Sequence, residues 1–187
     1  MPILKKENDI FPDDLLLNEQ VHGDDARTWW CLYTMSRREK DLMRKLAAAK
    51  IPHYGPMVTK RYRSPAGRLR TSYVPLFANY VFMLANEQER LHALTTNCIS
   101  KCDAVENREQ LVKDLLYISI AVTEEIPLTP EAKLESGDLV RVRSGPFADY
   151  EGTVVRREGK TRLLLSIQFL EQGVSMELDE AVLEPLH

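Results

Sequence analysis

One run of twelve residues, Tyr73-Val-Pro-Leu-Phe-Ala-Asn-Tyr-Val-Phe-Met-Leu84, constrains the fold of this chain more than any other. It holds Tyr73, Phe77, Tyr80 and Phe82 in a chain that is only 7% aromatic. The two-residue period of a strand sends Tyr80, Phe82 and Leu84 to one face and Val81 and Met83 to the other. A strand apolar on both faces belongs in the middle of a sheet. One face can pack on the chain's own helices. The other, being aromatic, is expected to keep part of its surface for a protein partner.

The neighbours of this run fit a sheet with helices. Thr28-Trp-Trp-Cys-Leu-Tyr-Thr-Met35 is apolar on both faces and reads as a second central strand. Ser36 with Glu39 has capping-box spacing and predicts a helix over residues 37–50, stopped by Pro52. Its stripe of Leu42, Leu46 and Ala49 is core-facing, and its Lys and Arg residues fall mostly elsewhere. Residues 54–63 and 68–74 read as two extended arms about the turn Ser64-Pro-Ala-Gly67. A helix over 87–96, a strand over 98–103 and a helix from Asn107 to about Val122 complete this half.

Beyond that point the pattern changes. Residues 123–135 hold Pro127, Pro130 and four acids, the composition of a linker. From Gly137 onward come short strands over 138–143, 152–156, 163–169, 174–178 and 182–186. Five such strands predict a small β-barrel. The leucine-rich run 163–170 is compatible with helix, but Gly152 and Gly159 interrupt a helix and Thr153-Val-Val155 favours strand. At the other end, residues 1–27 carry seven acids and little periodicity beyond Leu15-Leu16-Leu17, as in a mostly mobile tail with one apolar turn.

Charge is distributed unevenly. The whole chain is at −3, yet residues 36–75 set eleven Lys and Arg against Glu39 and Asp41, a net +9. Lys60, Arg61, Arg63, Arg68 and Arg70 on the two arms, with Tyr62 among them, suit phosphate contact and stacking on an unpaired base.

Residues for catalysis are missing from this picture. His22, His53, His92 and His187 are scattered without metal-ligand spacing, and Cys31, Cys98 and Cys102 form no C-x-x-C pair. No nucleophile stands beside a base in a recognisable frame, so neither enzyme activity nor a cofactor is expected. No apolar run approaches the ~20 residues that cross a bilayer, and no secretory signal is legible, which predicts a cytoplasmic protein free of membrane.

Gly137-Asp-Leu-Val-Arg-Val-Arg-Ser-Gly-Pro-Phe-Ala-Asp-Tyr-Glu-Gly-Thr-Val155 resembles the KOW motif, with Gly145, Phe147 and Gly152 at its characteristic positions. Trp29-Trp-Cys-Leu-Tyr33, the cationic helix and Pro75-Leu-Phe-Ala-Asn-Tyr-Val-Phe82 are similar, in order and spacing, to the N-terminal domain of NusG-family transcription elongation factors. Pro56-Met-Val-Thr59 and Pro75-Leu-Phe-Ala-Asn-Tyr80 look like the RfaH-like specialised antiterminators of that family.

The resemblance implies an α+β chain: an acidic tail (1–27), an N-terminal α/β sandwich domain (28–122), a linker (123–136) and a five-stranded KOW barrel (137–187). It implies that Tyr33, Phe77, Tyr80 and Phe82 dock the β′ clamp helices of bacterial RNA polymerase. His92 and Thr95 would touch the gate loop of the β subunit. Arg37, Arg38, Lys40, Arg44, Arg68 and Arg70 would bind the non-template DNA strand. The KOW domain would recruit ribosomal protein S10 or the termination factor Rho through edges near Phe147, Ile167 and Phe169, in a protein acting as a monomer. The alternatives are a general elongation factor that couples polymerase to Rho or the ribosome, and a ribosome-associated KOW protein.

Overall fold

Two strands that are apolar on both faces need cover above and below, and the fold provides it. The computed structural model describes residues 7–22, 24–65, 67–131, 137–157 and 159–186. They form two compact units that divide between Arg108 and Glu109. The first runs β1 (Ile10–Phe11), α1 (Glu19–His22), β2 (Thr28–Thr34), α2 (Glu39–Ala48), β3 (His53–Tyr54), β4 (Met57–Arg63), β5 (Leu69–Pro75), β6 (Tyr80–Ala85), α3 (Glu87–Leu94) and β7 (Ile99–Ala104).

Five of these strands make an antiparallel sheet in the order β1-β3-β6-β2-β7. Central β2 and β6 set Trp29 opposite Leu84, Cys31 opposite Phe82 and Tyr33 opposite Tyr80. Opposed residues share a face, so these six line one side of the sheet. On the other side Leu32, Val81 and Met83 pack with Leu42, Met43 and Leu46 of α2 and with Ile51 and Met57. Each such side chain contributes about 1.5–3 kcal/mol when fully buried. β4 and β5 leave this sheet and form their own two-stranded hairpin, in register from Met57 opposite Pro75 to Arg63 opposite Leu69.

The segment before Thr28 carries more structure than the mobile tail expected of it. Ile10 and Phe11 pair with Tyr54 and His53 as an edge strand. Asp9 anchors that strand twice, its carboxylate accepting the Met57 N–H at 3.0 Å and its carbonyl the Gly55 N–H at 2.8 Å. Leu15 and Leu16 are buried. Residues 1–6 of the expected tail lie outside the described residues.

His53 is buried on this edge strand, 2.8 Å through Nδ1 from the Ile51 carbonyl and stacked on Phe11. Burial holds its pKa below the ordinary value, and the Ile51 contact offsets this only in part. The unfolded chain takes up that proton near pH ~6.5, while the folded chain does so only lower. The stability this linkage supplies is therefore present above about pH 6.5 and lost as the pH falls toward the folded value. Urea unfolding followed from pH 7.5 down to about 5.5 should show a falling midpoint, and His53→Phe should flatten the slope.

The second unit begins in α4 (Arg108–Thr123) and continues through β8 (Thr129–Glu131), β9 (Asp138–Val142), β10 (Glu151–Arg157), β11 (Lys160–Ile167), β12 (Gln172–Glu177) and β13 (Leu183–Pro185). The strands form one antiparallel sheet in the order β13-β9-β10-β11-β12-β8. The leucine run is strand through Ile167 and then one short 3-10 turn, Gln168–Leu170.

Two features differ from the sequence reading. Residues 129–131 of the expected linker are a sixth strand, paired with β12 through Ser175 opposite Thr129 and Gly173 opposite Glu131. Residues 132–136 of that linker lie outside the described residues. In addition α4, expected in the first domain through residue 122, packs with the second unit. Tyr117 stacks on Phe147 and meets Tyr150 edge-on at 4.4 Å, and the Asp114 carboxylate accepts the Gln168 N–H at 3.0 Å. No helix among the described residues is long and apolar enough to cross a membrane.

Candidate functional site

The aromatic face of the first sheet is graded from end to end. Trp29, Cys31, Phe82 and Leu84 are buried, whereas Tyr33 is 40% exposed and Tyr80 half-buried. The two tyrosines meet edge to face with ring centroids 5.1 Å apart. Phe77 lies just before Tyr80 but is 4% exposed. Of the four residues expected to present themselves to a partner, Tyr33 and Tyr80 are therefore the accessible ones, and Phe77 and Phe82 are buried.

The turn that delivers Tyr80 is held from outside itself. Asn79 sits at φ +68°, a left-handed conformation that asparagine tolerates better than most residues. Its carbonyl accepts the Thr34 N–H at 2.7 Å, and its own N–H donates to Glu39 Oε1 at 2.8 Å. Glu39 is buried and opens α2. This corrects the expected capping box: the helix begins after Arg38 without a side-chain cap, because the Glu39 carboxylate serves the Asn79 turn.

Leu91, His92, Leu94 and Thr95 are exposed on α3 and its C-terminal cap. The Thr95 hydroxyl donates to the His92 carbonyl at 2.7 Å, so the two residues expected to act together are joined. The helix itself is fixed by a reciprocal capping box between Asn86 and Glu89, which the sequence reading missed although the N-x-x-E signal was present. Arg27 adds a two-pronged contact to Glu89 at 2.8 and 3.1 Å.

The expected nucleic-acid residues fall into two groups. On α2, Asp41 collects Arg38 at 3.1 Å, Lys45 at 3.2 Å and Arg44 at 4.0 Å, and Arg44 also reaches Glu7 at 3.4 Å. Arg37 is exposed and Lys40 half-buried. Arg68 and Arg70 are exposed on the β4–β5 hairpin, well along the chain from the helix.

In the second unit Gly145 adopts φ +90°, a turn conformation that costs glycine little. Phe147 is buried beneath Tyr117 rather than exposed, and Ile167 is fully buried, so of the three residues expected near a docking edge only Phe169, at 41%, is open. Gly152 lies against the Tyr150 ring, where a Cβ would stand 2.4 Å from Cε1.

The family model described as transcription termination factor NusG matches residues 27–128, more than half of the chain. This chain belongs to the NusG family. A KOW motif model matches residues 136–166, which covers Gly145, Phe147 and Gly152. Among curated relatives, the transcription termination/antitermination protein NusG of Vibrio cholerae is 38% identical over 58 residues, 30% of this chain and 32% of that protein. The NusG of Yersinia pestis is 35% identical over 83 residues, 44% of this chain and 39% of that protein. The matched stretch thus spans about a third to two-fifths of the relatives' length. A Thermotoga maritima NusG structure aligns over 86% of this chain and 98% of that one, at 19% identity and a TM-score of 0.44.

Proposed function

We propose that this NusG-family protein is a transcription elongation factor of the termination/antitermination type, acting on bacterial RNA polymerase by binding and not by catalysis. The observation that carries the reading is the Tyr33–Tyr80 pair, a partly exposed aromatic surface on a sheet face whose other aromatics, Trp29, Tyr54 and Phe82, are buried. Packed aromatics in such positions are typical binding hot spots, each worth ~2 kcal/mol or more on truncation.

In this reading Tyr33 and Tyr80 touch the β′ clamp helices, with Phe77 and Phe82 supporting them from below. His92 and Thr95 meet the β subunit, and the cations Arg37, Lys40, Arg68 and Arg70 foremost contact the non-template strand. A factor holding two parts of the polymerase across its cleft disfavours clamp opening and so suppresses pausing by population shift. The KOW unit recruits S10 or Rho. RfaH-like dependence on a DNA element is the finer form of the reading and rests on the Pro56–Thr59 and Pro75–Tyr80 segments. The names of the curated relatives favour a second form, a general NusG factor that couples polymerase to Rho or the ribosome.

Transcription in vitro on a template with defined pause sites tests this. Addition of the protein should shorten pause lifetimes, and the effect should be lost in Tyr33→Ala/Tyr80→Ala. Pause lifetimes that do not change would overturn the reading. Dependence on one promoter-proximal element favours the specialised form, and equal action on all templates the general one.

A further inference from the structure

From the β4–β5 hairpin we infer that this arm is a single-stranded nucleic-acid clasp, with Tyr62 as the platform on which an unpaired base stacks. The inference deepens the DNA contact proposed above and assigns it to a face of its own. Register decides which side chains act together. Tyr62 stands opposite Arg70 and Lys60 opposite Ser72, so Lys60, Tyr62 and Arg70 share one face. Arg61 and Arg63 share the other with Leu69 and Thr71. That second face leads back at its base to Tyr73, which packs against the core. The first face carries an aromatic ring, 46% exposed, between two cations.

Charge sharpens the identity of the ligand. The chain contains no Asp or Glu between Asp41 and Glu87. Among the described residues Lys60, Arg61, Arg63, Arg68 and Arg70 enter no ion pair, in contrast to Arg38 and Arg44 on α2, which are held by acids. Five uncompensated cations on an arm that leaves the main sheet complement a polyanion. The exposed ring selects an unpaired strand over a duplex, since only an unpaired base offers its face for stacking. Tyr62 and Leu69 are both open to solvent at the far end of the arm from the core.

The test uses the full chain without polymerase, so that its result is independent of clamp docking. Fluorescence anisotropy with a short labelled single strand of mixed sequence, and with the matching duplex, is measured over a salt series. The single strand should bind more tightly. Tyr62→Ala should weaken it roughly five- to a hundredfold, the range for loss of one stacked base, while Tyr62→Phe stays close to wild type. Lys60→Ala/Arg70→Ala should lower the salt slope by about 1.4, two single-strand phosphate contacts. Circular dichroism should be unchanged in all three, because the substituted residues lie outside the core.

Duplex binding equal to or tighter than single-strand binding would overturn the inference, as would Tyr62→Ala without effect. Loss of binding in Arg37→Ala/Lys40→Ala with the arm variants unaffected would overturn the arm and leave the wider DNA reading standing.

Discussion

Phe82→Ala should cost the first unit about 3–5 kcal/mol of stability, the usual range for truncating a fully enclosed phenylalanine. The ring is 0% exposed, in the central strand, opposite Cys31 and flanked on its own face by Tyr80 and Leu84. Removing it loses the transfer energy of the aromatic group and leaves a cavity in a sheet that cannot collapse around it. Domains of this size hold only about 5–15 kcal/mol in total, so the variant should unfold at markedly lower urea. Trp29 and Trp30, both in β2 beside the site, make tryptophan fluorescence the direct readout. A midpoint close to wild type would show that the residue is not packed as described. The result also bears on function: loss of partner binding in Phe82→Ala reports unfolding, whereas loss in Tyr33→Ala reports the contact itself.

Gly152→Ala should be the more damaging of the changes within the KOW motif residues. The added methyl would lie 2.4 Å from Cε1 of Tyr150 and 3.1 Å from Cζ. That ring has nowhere to go. It is buried, its hydroxyl donates to the Leu164 carbonyl at 3.2 Å, and Tyr117 packs against it edge-on. Relieving the clash means breaking the hydrogen bond or the aromatic contact, and overpacking of this kind costs about 1–3 kcal/mol. Gly145→Ala meets no atom within 4 Å and has only backbone strain to bear. Thermal melts of the two variants, with amide signals of the second unit as the probe, should place Gly152→Ala lower. The reverse order would contradict the packing account of the motif's glycine.

The central strands, the arm and the strand-rich second half were legible because each rests on a local period. Val81 and Met83 do face α2, as alternation implied. What escaped depends on contacts distant in sequence. Ile10 and Phe11 are a strand only because Tyr54 and His53 offer an edge and Asp9 bonds Met57. Glu39 matches a capping pattern, yet its carboxylate is claimed by Asn79, forty residues away. Burial was the other blind spot. Period two assigns Tyr80 and Phe82 to one face but says nothing about how far along it solvent reaches, and so Phe82 and the buried Phe77 read like Tyr33. The short β8 hides in a proline-containing acidic stretch, where composition argues for linker and only its partner β12 makes it a strand.

Docking of Tyr33 and Tyr80 on RNA polymerase stands or falls on binding to the isolated β′ clamp helices. The wild-type chain should bind, and Tyr33→Ala and Tyr80→Ala should each weaken binding by roughly thirtyfold, about 2 kcal/mol, with unfolding midpoints near wild type. Absence of binding by the wild type, or binding indifferent to both substitutions, would contradict it.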